Sequence, residues 1–97
     1  MAYIFTAEKV GSQDLSLLHA RLSQFELVEF FPVEAGGDQL ILGISIPFKF
    51  MDDPRFAREL TELMTYLVSS GFQVVDLFTG DIIRDVDITG LPAKISA

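Results

Sequence analysis

Carboxylates are the chemistry-bearing side chains that this chain holds in number. If Ile82 to Ile88 form a strand, Asp81, Ile83, Asp85 and Asp87 share one of its faces, and Ile82, Arg84, Val86 and Ile88 share the other. Neighbours on one face of a strand stand about 6.6 Å apart. That pitch gives a row of carboxylates facing outward, and Asp76, just before the turn Thr79-Gly80-Asp81, extends it. A second acidic group, Glu26, Glu29, Glu34 and Asp38, follows another strand into its hairpin, with Phe31 sharing the parity of Glu29. Such rows can meet Lys and Arg of a partner and can carry out no bond-making step by themselves. The same charges on an exposed edge also discourage unwanted sheet pairing.

Other constellations fall short of a reaction. His19 is the single histidine, four residues after Leu15 beside the apolar face, and a catalytic role would need an acid or nucleophile partner that only the fold could bring near. Asp81-x-x-x-Asp85-x-Asp87 lacks the alternate oxygen ligands, central glycine and late glutamate of a calcium loop. Gly36-Gly37 lies between two strands and not before a helix, so it reads as a hairpin turn and not as a phosphate cradle. Cysteine is absent, which removes disulfides, thiolate nucleophiles and Cys-ligated zinc. No catalytic, cofactor-binding or metal-ligating residue is assigned, and a non-enzymatic protein is expected.

Fourteen Asp and Glu against seven Lys and Arg give a net charge of -7, with a pI near 4.4. Binding to a nucleic-acid backbone requires clustered cations that release counterions. Here Lys9, Arg21, Lys49, Arg55, Arg58, Arg84 and Lys94 are scattered, so direct nucleic-acid binding is not expected. A charged partner would be basic. Solubility alone also favours an acidic surface. The N-terminal MAYIFTAEKVGSQD has no basic region or long apolar core of a signal peptide. The longest apolar-rich run, Leu40 to Phe50, is shorter than the roughly 20 residues that span a bilayer. These features predict one soluble, cytoplasmic domain over residues 1–97, with an ordered core of about 2–89 and a frayed tail from 90 to 97.

The elements that must position the acids follow from periodicity. Asp53 and Pro54 open a helix whose face is Phe56, Leu60, Leu63, Met64, Leu67 and Val68, with Arg55, Arg58, Glu59, Glu62 and Thr65 on its solvent side. Gly71 ends it in a left-handed cap. Ser12 caps an earlier helix from about Gln13 to Phe25, with Leu15, Leu18, Leu22 and Phe25 inward. Strands are predicted at Tyr3–Thr6, Leu27–Val33, Gln39–Ile46, Phe72–Phe78 and Ile82–Ile88. Pro32 marks an edge or a bulge. The third strand alternates Leu40, Leu42, Ile44 and Ile46 against Ile41, Gly43 and Ser45. Apolar residues at both parities of the second strand imply that its other face meets either the loop at Phe48, Phe50 and Met51 or a partner.

The order β-α-β-β-α-β predicts an α+β, ferredoxin-like sandwich: an antiparallel sheet, two helices on one face, and an extra C-terminal hairpin strand. RNA-recognition modules share that order, and Tyr3 and Phe5 invite the comparison, but QLILGISI carries no aromatic or basic residue to stack or hold bases. The order is also similar to that of small-molecule regulatory domains of the ACT type, in which the segment here formed by Lys9-Val10-Gly11-Ser12 meets a ligand. A ligand-binding or dimerising regulatory domain, with a homodimer interface on the second face of the sheet, is therefore the alternative. In overall profile the short, acidic, cysteine-free chain resembles phage-encoded anti-CRISPR and DNA-mimic proteins. That resemblance implies an inhibitor of a basic nucleic-acid-binding protein, such as a CRISPR surveillance complex. Asp76, Asp81, Asp85, Asp87, Glu26, Glu29, Glu34 and Asp38 would then occupy the cations that should hold nucleic acid.

Overall fold

In the central strands, residues of alternating burial decide which side of the sheet becomes the core. Phe5 and Ala7 of β1 (Ala2–Val10) are buried, as are Leu40, Leu42, Ile44 and Ile46 of β3 (Gln39–Pro47), and both sets point to one face. A computed structural model describes residues 2–10, 15–36 and 39–96, with side chains for 2–10, 16–31 and 39–95. The protein has an α+β fold: among the described residues, a five-stranded antiparallel sheet in the order β2-β3-β1-β4-β5, with four helices. The remaining strands are β2 (Glu29–Gly36), β4 (Gln73–Asp76) and β5 (Ile82–Ile83). The order is compatible with a ferredoxin-like arrangement.

Helix α2 (Phe56–Ser69) carries the apolar stripe that its spacing predicts, with Phe56, Leu60, Leu63, Met64 and Leu67 buried. Its end is a Schellman motif. Gly71 has φ of 92°, its N–H donates to the Val68 carbonyl, and the Phe72 N–H donates to Leu67 at 3.0 Å. At the other end the Arg55 N–H donates to Asp53 at 2.8 Å, so Asp53 caps the turn just before the helix. Glu59 is not on the solvent side. It is buried, and its carboxylate accepts the N–H groups of Glu26 and Leu27, tying α2 to the chain that leaves α1 (Leu15–Leu22). Leu18, Leu22 and Phe25 complete that corner of the core. The Ser12 cap and the residues Gly37 and Asp38 of the hairpin lie outside the described residues.

Strand β2 is an edge, and its register with β3 shifts between Pro32 and Glu34, as the proline implies. The other edge departs from expectation. Strand β5 stops after two residues, because the Asp87 carboxylate accepts the Arg84 N–H at 3.0 Å and opens helix α3 (Asp85–Ile88). The expected frayed tail is a helix too, α4 (Leu91–Ser96). Pro92 sits in its first turn, where a missing N–H is harmless. Leu91 and Ile95 are buried, and α3 and α4 both pack on α2. Between β3 and α2 a single 3-10 turn spans Phe48–Phe50; Phe50 and Met51 pack on the core while Phe48 is exposed. Among the described residues, no helix is long and apolar enough to cross a membrane.

Truncating Leu91, only 1% exposed, tests the C-terminal helix. Leu91→Ala should cost about 2–5 kcal/mol in urea unfolding. A frayed tail would lose less than about 0.5 kcal/mol.

Candidate functional site

The acids do not form the expected row. With Ile82–Ile83 as the strand and Asp85–Ile88 helical, strand parity no longer aligns Asp81, Asp85 and Asp87. Asp81 lies 3.5 Å from the Lys94 ammonium, and Asp87 lies 3.4 Å from the Arg84 guanidinium. The Arg84 N–H, and next its side chain, hold the Asp87 carboxyl below the usual aspartate value. Asp85 is exposed. Glu26 pairs with Arg55 at 2.9 Å, whose guanidinium also grips Asp53. Hydrogen bonds from the Arg55 side chain and N–H pull Asp53 down, and Asp53 with Glu26 pushes Arg55 up. Glu29 is exposed on β2. The Glu34 side chain and the whole of Asp38 lie outside the described residues.

Asp76 is the sharpest departure, at 0% exposed. It opposes Phe5 across the β1–β4 ladder, so it points to the covered side of the sheet. Its carboxylate accepts the Tyr3 hydroxyl at 2.6 Å and the N–H groups of Phe78 and Thr79 at 2.8 and 3.3 Å. Its own N–H and carbonyl meet Asp81 and Gly80, which has φ of 78°. Asp76 therefore shapes the turn that lays β5 beside β4, and it offers nothing to a partner. Tyr3 is packed between Phe5 and Phe78, with ring centroids 5.2 and 4.7 Å away. Phe5 is fully buried on the helix side, so the pair forms no base-stacking platform.

Among the described residues, no helix lies over the opposite face of the sheet. Cross-strand register places Phe31, Gly43, Thr6, Val75 and Ile82 in one row spanning all five strands. Ser45 and Ile4 continue from Glu29 in the row on one side, and Ile41, Glu8 and Gln73 form the row on the other. Leu77, whose N–H donates to the Ile4 carbonyl, borders the first of these. Phe31, Ile82 and Leu77 are 44%, 52% and 55% exposed, and Ile4, Ile41 and Val75 are half-buried. The Phe31 ring lies over Gly43, where a methyl group would overlap it. Glu8 and Glu29 are the charges in these rows whose side chains are described, and Glu34 pairs with Ile41 at the β2 end of the second row.

Most cations are engaged within the chain. Besides the three ion-paired ones, Lys9 lies over Phe72, Arg21 over Tyr66 and Lys49 over Phe50, each 5.1–5.7 Å from the ring centroid. Among the described residues no group of three His, Cys, Asp or Glu could hold a metal, and His19 is exposed on α1. The chain matches no protein-family description, curated protein or solved structure.

Of the eight acids singled out in sequence, Glu29 stands on the uncovered face with Phe31, as shared parity implies. Ile4, Thr6, Glu8, Val75 and Ile82 join them only through cross-strand register. The role of Asp76 had a local signal, a carboxylate two and three residues before the turn N–H groups that it accepts.

Removal from water, then the bond to Asp76 and the charges of Asp76 and Asp81, push the Tyr3 phenol from 10.0 up to about 12. The folded value exceeds the unfolded one, so this contact stabilises fully below pH about 10 and is lost as pH rises toward about 12. In a Tyr66→Phe background, phenolate absorbance should report Tyr3 titrating near 12, and Asp76→Asn should lower it. Titration near 10 in the unaltered site contradicts the lock. Separately, Gly43→Ala should push aside the outer end of the exposed Phe31 side chain and change its aromatic NMR shifts; unchanged shifts contradict the packing.

Proposed function

We propose that this protein is a non-enzymatic, acidic binding module of ferredoxin-like architecture that engages a basic protein partner. The observation that carries the reading is the charge balance: fourteen Asp and Glu face seven Lys and Arg, and three of those seven, Arg55, Arg84 and Lys94, are already ion-paired to acids of the same chain. Exposed carboxylates at Glu29, Asp52, Glu62 and Asp85 then dominate the outward field. A partner whose basic surface ordinarily holds nucleic acid would be inhibited by occupation of that surface, with charge steering the encounter and shape giving specificity. The mechanism is competition by a dispersed acidic surface, not by a ruled line of carboxylates.

Capture on the immobilised protein tests this reading. The proteins retained should be basic. They should elute between about 0.1 M and 1 M salt, where the screening length falls from about 10 Å to about 3 Å. Added DNA should displace them. Combining Glu8→Gln and Glu29→Gln should reduce retention without changing the circular dichroism. Retention that is indifferent to salt, to DNA and to these substitutions contradicts the proposal.

A further inference from the structure

We infer that the docking surface is the uncovered sheet face, and that its occupant is a protein surface with an apolar ridge flanked by Lys or Arg, not a second copy of this chain. The inference rests on the basic-partner reading and adds the place and shape of contact. Five strands at about 4.8 Å and three rows at about 6.6 Å define a face roughly 20 Å on a side. Phe31, Thr6, Val75 and Ile82 cross it in one row, flanked by Ile4, Leu77 and Ile41. The whole face covers roughly 400 Å², and its apolar part is smaller because Thr6, Ser45, Glu8, Glu29 and Gln73 share it. The face is about half of the roughly 800 Å² that each partner contributes to a standard interface, the scale of a small docking site. Glu29 lies on the edge strand β2, whereas Glu8 stands on the middle strand β1, so a partner must present a cation within the contact as well as at its border.

Charge selects the occupant. For two copies stacked face to face and centred on Thr6, the two limiting two-fold axes run along the strands and across them. The middle strand β1 maps onto itself in both cases. An axis along the strands stacks Glu8 on the Glu8 of the second copy. An axis across them sets Glu8 against Ile4. The first juxtaposes like charges and the second desolvates a carboxylate with no cation to meet it. A partner bearing Lys or Arg opposite Glu8 and Glu29 removes both penalties while covering the same apolar row.

The full-length chain can be titrated with three labelled peptides, followed by fluorescence anisotropy. One is a helical peptide with a leucine face flanked by lysines, one has glutamates in place of the lysines, and one has lysines with serines in place of the leucines. The leucine–lysine peptide should bind at least about tenfold more tightly than either other peptide. Leu77→Asp combined with Ile82→Asp should weaken it by about tenfold or more. Val86→Asp, which adds the same kind of charge at an exposed position off the face, should leave it within about twofold. Circular dichroism should show all variants folded. If the leucine–lysine and serine–lysine peptides bind equally, or the face variants bind like wild type, the docking surface is wrong while the basic-partner reading stands. If no lysine peptide binds, both fail. A salt-insensitive dimer by sedimentation that Ile82→Asp dissolves assigns the face to self-association and overturns the choice of occupant.

Discussion

The constraint on which this structure depends is one-sided burial. Every long apolar side chain of α2, together with Ile88, Leu91 and Ile95 of the short C-terminal helices, joins Phe5, Ile44, Ile46 and Val74 on one face of the sheet. A chain of 97 residues builds one such core. The second face of an antiparallel sheet can meet water if it is polar, but here the row from Phe31 to Ile82 is largely apolar. The functional reading follows from that mismatch between a face without a helix and the residues that line it.

Two buried carboxylates hold the arrangement in register. Glu59 accepts backbone N–H groups where the chain turns from α1 into β2. Asp76 does the same at the turn into β5 and adds the Tyr3 hydroxyl from β1. A buried carboxylate is tolerated only where donors surround it, and each of these has at least two. By fixing the β4–β5 turn, Asp76 sets Ile82 beside Val75 and so completes the cross-strand row. An acid that looks in sequence like part of a binding surface instead builds the one beside it.

Much of the fold is legible in the sequence where periodicity is strong. The stripe of α2, the glycine that ends it and the alternation of β3 each rest on spacing alone. What is not legible is local competition and distant register. Residues 82–88 are rich in β-branched side chains, yet one hydrogen bond from the Arg84 N–H to Asp87 redirects the chain into a helix. Gly90-Leu91-Pro92 reads as a break, while proline in a first turn is compatible with a helix once Leu91 has a core to enter. The candidate surface is assembled from five strands, so parity places Glu29 with Phe31, and Ile41 with Gly43 and Ser45, but cannot set one group beside the other.

The central claim concerns which face a basic partner covers, and isoleucine methyl NMR during titration with the leucine–lysine peptide tests it most directly. Ile4, Ile41 and Ile82 stand on the uncovered face, whereas Ile44, Ile46, Ile83, Ile88 and Ile95 are buried on the other side. The account predicts that the first three methyl signals shift together and saturably while the other five stay in place. Shifts confined to Ile83, Ile88 and Ile95, or scattered over all eight, would contradict it.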